Sequence, residues 1–330
     1  MLACAPALGQ VYWMYVANES EDTVALVRFD GSALNAERKI PVGNVITEIE
    51  GPHGLAVSPD GRHWFVSLAH GQPFGKVVRY VTGTDEKTGE VTLDLFPATM
   101  AFSPLTGLLH VVNFNLHGPM VPSVISVVDP VTMVEVGRTT TGVMPHGSHF
   151  TPAGNRHYSV AMMSGELFEQ DALNLQVRRQ LSLGRSVKPT WVVVHPTMPL
   201  AYVAGNGTHE ILEVDLDKWQ VERQFAVKGA PYNLAMTTDG LYVVATLKEA
   251  QAVGLYDSGT GEERTRISTS QPVTHGVVVT PDNRFAFVTS EGVGHTPGTV
   301  DAIDLAQQAL VASVATGLQA GGIAFWKIDQ

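Results

Sequence analysis

"AVSPDGRHWFVS", residues 56–67, decides the fold. Its centre has the chemistry of a tight turn: proline presets φ, aspartate can bond its own backbone, and glycine tolerates the left-handed conformation. Short runs of apolar, β-branched and aromatic residues flank that turn, so the stretch reads as two antiparallel strands joined by a hairpin. The same grammar returns in "AFSPLTGLLHVVN" (101–113), "HFTPAGNRHYSV" (149–160), "VVHPTMPLAYVA" (193–204), "AMTTDGLYVVAT" (235–246) and "VVTPDNRFAFVT" (278–289). The copies recur at roughly 42 to 48 residues, the period of a propeller blade. A hairpin of this size cannot bury both faces alone, so the copies must pack on one another.

Each copy extends to four strands. An apolar strand A leads into the turn and strand B follows it. After a variable loop comes a strand C ending in aspartate, as in "VISVVD" (124–129) and "AVGLYD" (252–257), then a strand D such as "ERTRIS" (263–268). At the N-terminus "VYWMYVANESEDTVALVRFD" (11–30) supplies strands B and C without an A, while the chain ends on "GGIAFWKID" (321–329), an A without a B. Joining the two completes a seventh blade and leaves no free sheet edge between first and last. The expected fold is all-β, a seven-bladed β-propeller of four-stranded antiparallel blades over residues 11–330, closed by the C-terminal strand in the N-terminal blade.

Composition narrows the function classes. The 32 acidic residues outnumber the 21 basic ones, for a net charge of -11 with no basic run, which disfavours nucleic acid and anionic membrane as partners. No apolar run approaches the roughly 20 residues of a spanning helix. The one cysteine, Cys4, excludes an internal disulfide, a CxxC pair and a cysteine-built zinc site. It sits in "MLACAPALGQ" (1–10), which reads as the remnant of a bacterial export signal with a lipid-attachment cysteine, or alternatively as an unstructured N-terminus. A periplasmic or surface-attached monomer is the expectation.

The repeat resembles the YVTN or YncE-like family of seven-bladed propellers through its "SPDG" turns and "D…TG" hairpins such as "DSGTGE" (257–262). That resemblance implies architecture and leaves function open, since propellers host unrelated activities.

Strand direction then sorts the 12 histidines. Residues leading into strand A and residues of the B–C loops share one face, here the top; the A–B turns lie at the bottom. His53 ("PHG"), His146 ("PHG") and His275 ("THG") occupy the same place at the start of strand A in three blades. His70, His117, His209 and His295 fall in B–C loops, and His149 lies three residues into its strand, lower in the channel. His63, His110, His157 and His195 fall near the bottom turns, and His63 in "GRHW" and His157 in "NRHYSV" read as solvated turn residues. Taken singly, each top-face histidine reads as an ordinary loop residue. Gathered near the axis of an apolar protein, imidazoles suit copper, zinc, nickel or iron.

The set is similar to the all-histidine copper sites on the propellers of nitrous oxide reductase and thiocyanate dehydrogenase, which implies copper as cofactor. Carried over by motif are His53, His146 and His275, with the B–C histidines a looser match. The chain lacks a cupredoxin domain and an adjacent His-His pair, so one ion or a small centre fits better than a large cluster. Glu21, Glu166, Glu249 and Glu291 at the same loop tips read as solvated charges, and Met162 and Met163 as packing. Channel-mouth residues are expected to add little to the packing between blades.

Three functions follow: a copper-dependent protein, an oxidoreductase if it is an enzyme, acting on a small molecule at the top-face funnel; a binding scaffold for a protein, polysaccharide or cofactor; and a metal-assisted lyase or hydrolase resembling streptogramin lyases, with His275 as base and Glu291 its nearest carboxylate by loop position. Serine hydrolase chemistry has no support, because no G-x-S-x-G elbow precedes a helix.

Overall fold

The computed structural model describes residues 9–71 and 74–329. Cys4, and with it nearly all of the stretch read as an export signal, lies outside them. The described chain folds into seven four-stranded antiparallel sheets arranged as a propeller. Blade 1 is composite: its inner strand, Ala320–Asp329, pairs with Val11–Asn18, followed outward by Thr23–Phe29 and Leu34–Pro41. Blades 2 to 7 then follow in chain order, with inner strands Pro52–Val57, Pro97–Phe102, Pro145–Phe150, Pro189–Val194, Pro231–Met236 and Thr274–Val279.

The alternation that marked the strands places large side chains between blades. Between blades 1 and 2, Tyr15 stacks on Trp64 at 4.9 Å and Trp64 on Tyr80 at 4.2 Å between ring centroids. Between blades 7 and 1, Tyr12, Phe29, Phe285 and Phe287 meet edge to face. Outermost strands are mostly exposed, as in Glu263–Ser268, because only one face of each finds a neighbour.

Near the axis the backbones approach closely. In blades 1, 2, 4 and 7 the third residue of the inner strand is glycine: a Cβ on Gly54 would lie 2.1 Å from the Ala98 carbonyl oxygen of blade 3. The "HG" of the sequence motif is thus one residue facing the channel and one with no room for a side chain.

Just ahead of each inner strand the chain makes one left-handed step. Gly51, Phe96, Met144, Lys188, Ala230, Val273 and Gln319 all have φ between 44° and 64°. Such values are unusual for non-glycine residues and most of all for β-branched Val273. The step turns every blade into the channel in the same way, so the second residue of each inner strand occupies an equivalent position: Gly321, His53, Ala98, His146, Thr190, Tyr232 and His275 in blades 1 to 7.

Carbonyls at these positions tie the blades together. His146 C=O accepts from Thr99 Oγ1 at 2.5 Å, Thr190 C=O from His146 Nδ1 at 2.9 Å, and Tyr232 C=O from Thr190 Oγ1 at 2.7 Å. His275 C=O accepts from Thr246 Oγ1 at 2.8 Å and Gly321 C=O from Thr289 Oγ1 at 2.5 Å, each donor on the preceding blade.

Removing residues 320–330 deletes the inner strand of blade 1 and bares Tyr15, Trp64 and Phe287. The expected result is loss of a single cooperative melt, or a midpoint lowered by more than ~10 °C. Calorimetry of the truncated chain checks this, and a parental melting curve would contradict closure by this strand.

Candidate functional site

Three of the seven channel positions are histidines and a fourth is Tyr232. His53 lies 5.6 Å from His275 and 6.4 Å from His146 between ring centroids, and Tyr232 fills the gap between the latter two at 5.3 Å from His146 and 4.8 Å from His275. Below them is a cavity of about 150 Å3 lined by the three imidazoles together with Trp191, Asn233 and Ile323.

Hydrogen-bond partners assign the tautomers. The Thr190 carbonyl can only accept, so His146 Nδ1 carries a hydrogen and the neutral ring offers Nε2 as acceptor; the Tyr232 hydroxyl donates to it at 3.0 Å. His53 Nδ1 likewise donates to Glu19 Oε2 at 2.9 Å, leaving Nε2 without the proton in the neutral ring. His275 Nδ1 is buried with no partner among the described residues. Across blade 1, where Gly321 contributes no side chain, a Cβ would stand 3.7 Å from that nitrogen and 3.8 Å from Glu19 Oε2. The missing side chain leaves a recess bounded by an unpaired imidazole nitrogen and a carboxylate.

Glu19 comes from the short 3-10 turn Glu19–Glu21 between two strands of blade 1. Burial works to raise its pKa, but its bonds and attraction to His53 and His70 outweigh that and hold the carboxyl well below the usual carboxylate range. Its Oε1 accepts from His70 Nε2 at 2.6 Å, and His70 Nδ1 lies 2.9 Å from His117 Nε2. Above, a hollow of about 340 Å3 bounded by Glu19, Ser20, Ile49, His70 and Gln319 opens to solvent. On the far side Glu291 Oε1 is 3.8 Å from His275 Nε2 and is held at 2.9 Å by Lys248, whose ammonium lies 4.2 Å from the Tyr232 ring centroid.

Burial keeps two of the central rings neutral: it pushes His146 down to about 3 and His275 well below the ordinary value, with Lys248 adding to the effect. The Tyr232 phenol is pushed up by burial, with Glu291 and Glu19 adding to the shift. Among the described residues no three His, Cys, Asp or Glu side chains form a ready metal cage. At His146 the Nε2 lone pair is already taken by the Tyr232 hydroxyl.

Of the histidines expected on the top face, His53, His146 and His275 thus meet at the axis, and His70 and His117 join them through Glu19. His209 is instead exposed, 3.7 Å from Glu249, and His295 is exposed with no hydrogen bond to a described residue. His149 does not join the set. It lies at the lower end of the channel, where its Nδ1 accepts from Val194 N–H at 3.3 Å beside a separate cavity. The expectation that the mouth adds little to packing needs correction at His146, whose ring joins blades 4 and 5.

The solvated reading also fails at His157, and of the four bottom-face histidines three, His110, His157 and His195, are buried. His157 and His110 are buried, with ring centroids 4.9 Å apart and Phe150 stacked on His157 at 4.1 Å. Strand B begins at Arg156, so alternation turns His157 inward. A hollow of about 720 Å3 on this lower face contains Arg156, Arg178 and Arg179, but all three are ion-paired with buried Glu169. The sequence reading missed Tyr232, whose "PYN" aligns with "PHG", and Glu19, although its B–C loop is a top-face position.

No protein-family model matches the chain, and no curated protein matches it. Among solved structures it is similar to hydrazine synthase of Kuenenia stuttgartiensis (20% identity, TM-score 0.71, covering 86% of this chain and 92% of that one). It is similar also to the periplasmic gluconolactonase of Pseudomonas aeruginosa (14%, 0.76, 96% and 99%) and to a functionally unknown protein from Desulfotomaculum acetoxidans (13%, 0.77, 95% and 98%). At these identities the likeness establishes the propeller fold alone.

The buried neutral imidazoles make the protein acid-sensitive. In the unfolded chain histidine takes a proton near pH 6.5, whereas burial holds folded His110 down to about 4 and His157 well below its ordinary value. Between those values the unfolded state binds more protons, so stability is lost as pH falls below 6.5. Denaturant unfolding at pH 7 and pH 5 is expected to differ by roughly 2 kcal/mol or more, and His110→Leu to reduce the difference; equal midpoints would show that these rings are not buried neutral.

Proposed function

We propose that this propeller holds a transition-metal ion, copper by preference, at the top of its channel through His53, His146 and His275, and presents it to a small molecule entering from the hollow beside Glu19. One observation carries this reading. Two imidazoles at equivalent blade positions each have Nδ1–H fixed by an acceptor, Glu19 and the Thr190 carbonyl, which is how metal-binding histidines are oriented and made more basic.

The donor set fits such an ion. Neutral imidazoles suit copper, and the unpaired Nδ1 of His275 faces the recess at Gly321. Binding through His146 requires the Tyr232 hydroxyl to swing away or to join the ligands as phenolate. When bound, copper would supply one-electron chemistry or Lewis acidity. The chain's own groups do the rest: Glu19 offsets the ion's charge, and Lys248 and Glu291 line the approach.

A second reading rests on the 3.8 Å contact between His275 and Glu291. In it the imidazole is the base of a lyase or hydrolase, oriented by the carboxylate. Lys248 competes for the same oxygen, and this weakens the pair. A scaffold role predicts that partner binding is indifferent to metal.

Tag-free protein prepared without chelator and loaded with copper is expected to retain tightly held metal, measured by mass spectrometry. His53→Ala with His146→Ala should abolish binding at the channel mouth while costing roughly 1–3 kcal/mol of stability, because the blade 4 to blade 5 hydrogen bond is lost. Undiminished copper in a folded double variant would overturn the assignment.

A further inference from the structure

Glu19 serves more than the channel mouth. Its two oxygens divide between imidazoles of different depth: Oε2 accepts from His53, which faces the channel, and Oε1 from His70, which is half-buried on the rim. The carboxylate can only accept, so His70 Nε2 carries a hydrogen and the neutral ring leaves its Nδ1 lone pair aimed at His117 Nε2, 2.9 Å away. His117 is exposed. Phe96 separates the two groups of rings, with its centroid 5.3 Å from His53 and 4.8 Å from His70.

We propose that His70 and His117 form a second metal site on the rim, a two-imidazole site for a single cuprous ion, with Glu19 as the carboxylate shared between this outer site and the inner one. The inference rests on the reading of the inner site for the choice of copper. Its geometry is its own: three successive blades each deliver one loop residue to a single chain of contacts, Glu19 from blade 1 and His117 from blade 3 on opposite nitrogens of His70 from blade 2.

The ligand number selects the ion. Zinc takes four ligands in structural sites and three protein ligands plus water in catalytic ones, whereas monovalent copper, with a filled d shell, is content with two nitrogens. Metal–nitrogen bonds of about 2 Å in the near-linear arrangement of a two-ligand cuprous ion require the nitrogens to stand roughly 4 Å apart. The present contact must therefore open by about 1 Å, which His117 can supply from its exposed loop. The hydrogen on His117 Nε2 moves through solvent to Nδ1, so the ring stays neutral and ligates through Nε2. Glu19 stays on the far nitrogen of His70, the carboxylate–histidine–metal arrangement that tunes such ligands.

The test is cuprous-ion stoichiometry and affinity on the full chain under anaerobic conditions, by competition with a chromogenic chelator, with thermal melting as the folding control. Wild type should hold about two ions, His70→Ala with His117→Ala only the inner one, and His53→Ala with His146→Ala only the outer one. Glu19→Gln should weaken both by roughly 10- to 100-fold. Copper binding that survives the rim variant undiminished and vanishes in the channel variant overturns the outer site and leaves the inner one standing. Binding that survives the channel variant and vanishes in the rim variant sinks the inner site and supports the outer. A chain that binds no cuprous ion at all overturns both.

Discussion

The hydrogen bonds that cross from one blade to the carbonyl of the next blade's channel-facing residue are what the rest of the molecule depends on. Seven strands converging on an axis bring backbone polar groups together where water is scarce, and each buried carbonyl left without a donor is costly. Threonine hydroxyls from the preceding blade supply the donor at His146, Tyr232, His275 and Gly321, and an imidazole does so at Thr190. Where neither is present the contact is steric, with Gly54 set directly against Ala98. Blade packing, by side chains such as Tyr15, Trp64 and Phe287, supplies the apolar burial, and the ring of carbonyls fixes how near the blades may come.

That constraint also shapes the chemistry. His146 cannot choose its tautomer freely, because one nitrogen is committed to holding blade 5; the nitrogen left over is the one toward Tyr232. Burial then keeps the ring uncharged, and the same burial that makes His110 and His157 sensitive to acid makes His146 and His275 suitable for a soft or borderline cation. Glu19 is the counterweight: a carboxylate buried beside these rings stays ionised only because two imidazoles share it.

Much of this was legible from sequence, for an identifiable reason. Turn chemistry and strand alternation are local, so the hairpin at 56–67 and its repeats, the seventh blade split between the termini, and the common place of His53, His146 and His275 all emerge from short windows. What escaped is what depends on distant partners. Glu19 meets its imidazoles across 34 and 51 residues, and its loop looked like a run of solvated charges. Tyr232 stands in register with the histidines but differs in type. His157 looked like a turn residue because "NRHY" is polar, yet the pleat carries it inward against Phe150. His149, three residues below His146 on the same strand, shares its blade but sits at the other end of the channel.

The left-handed step before every inner strand separates what the ring presents from how the ring is built. Because Phe96, Met144, Lys188, Ala230, Val273 and Gln319 adopt the same backbone geometry despite differing in size and charge, the residue two places on is delivered into the channel at the same height whatever its identity. The mouth is therefore a seven-place socket in which a side chain can be exchanged one blade at a time. Gly321 is its blank place, where an added Cβ would meet nothing nearer than 3.7 Å, so an engineered chain could gain a small side chain there with the path of the inner strand unchanged.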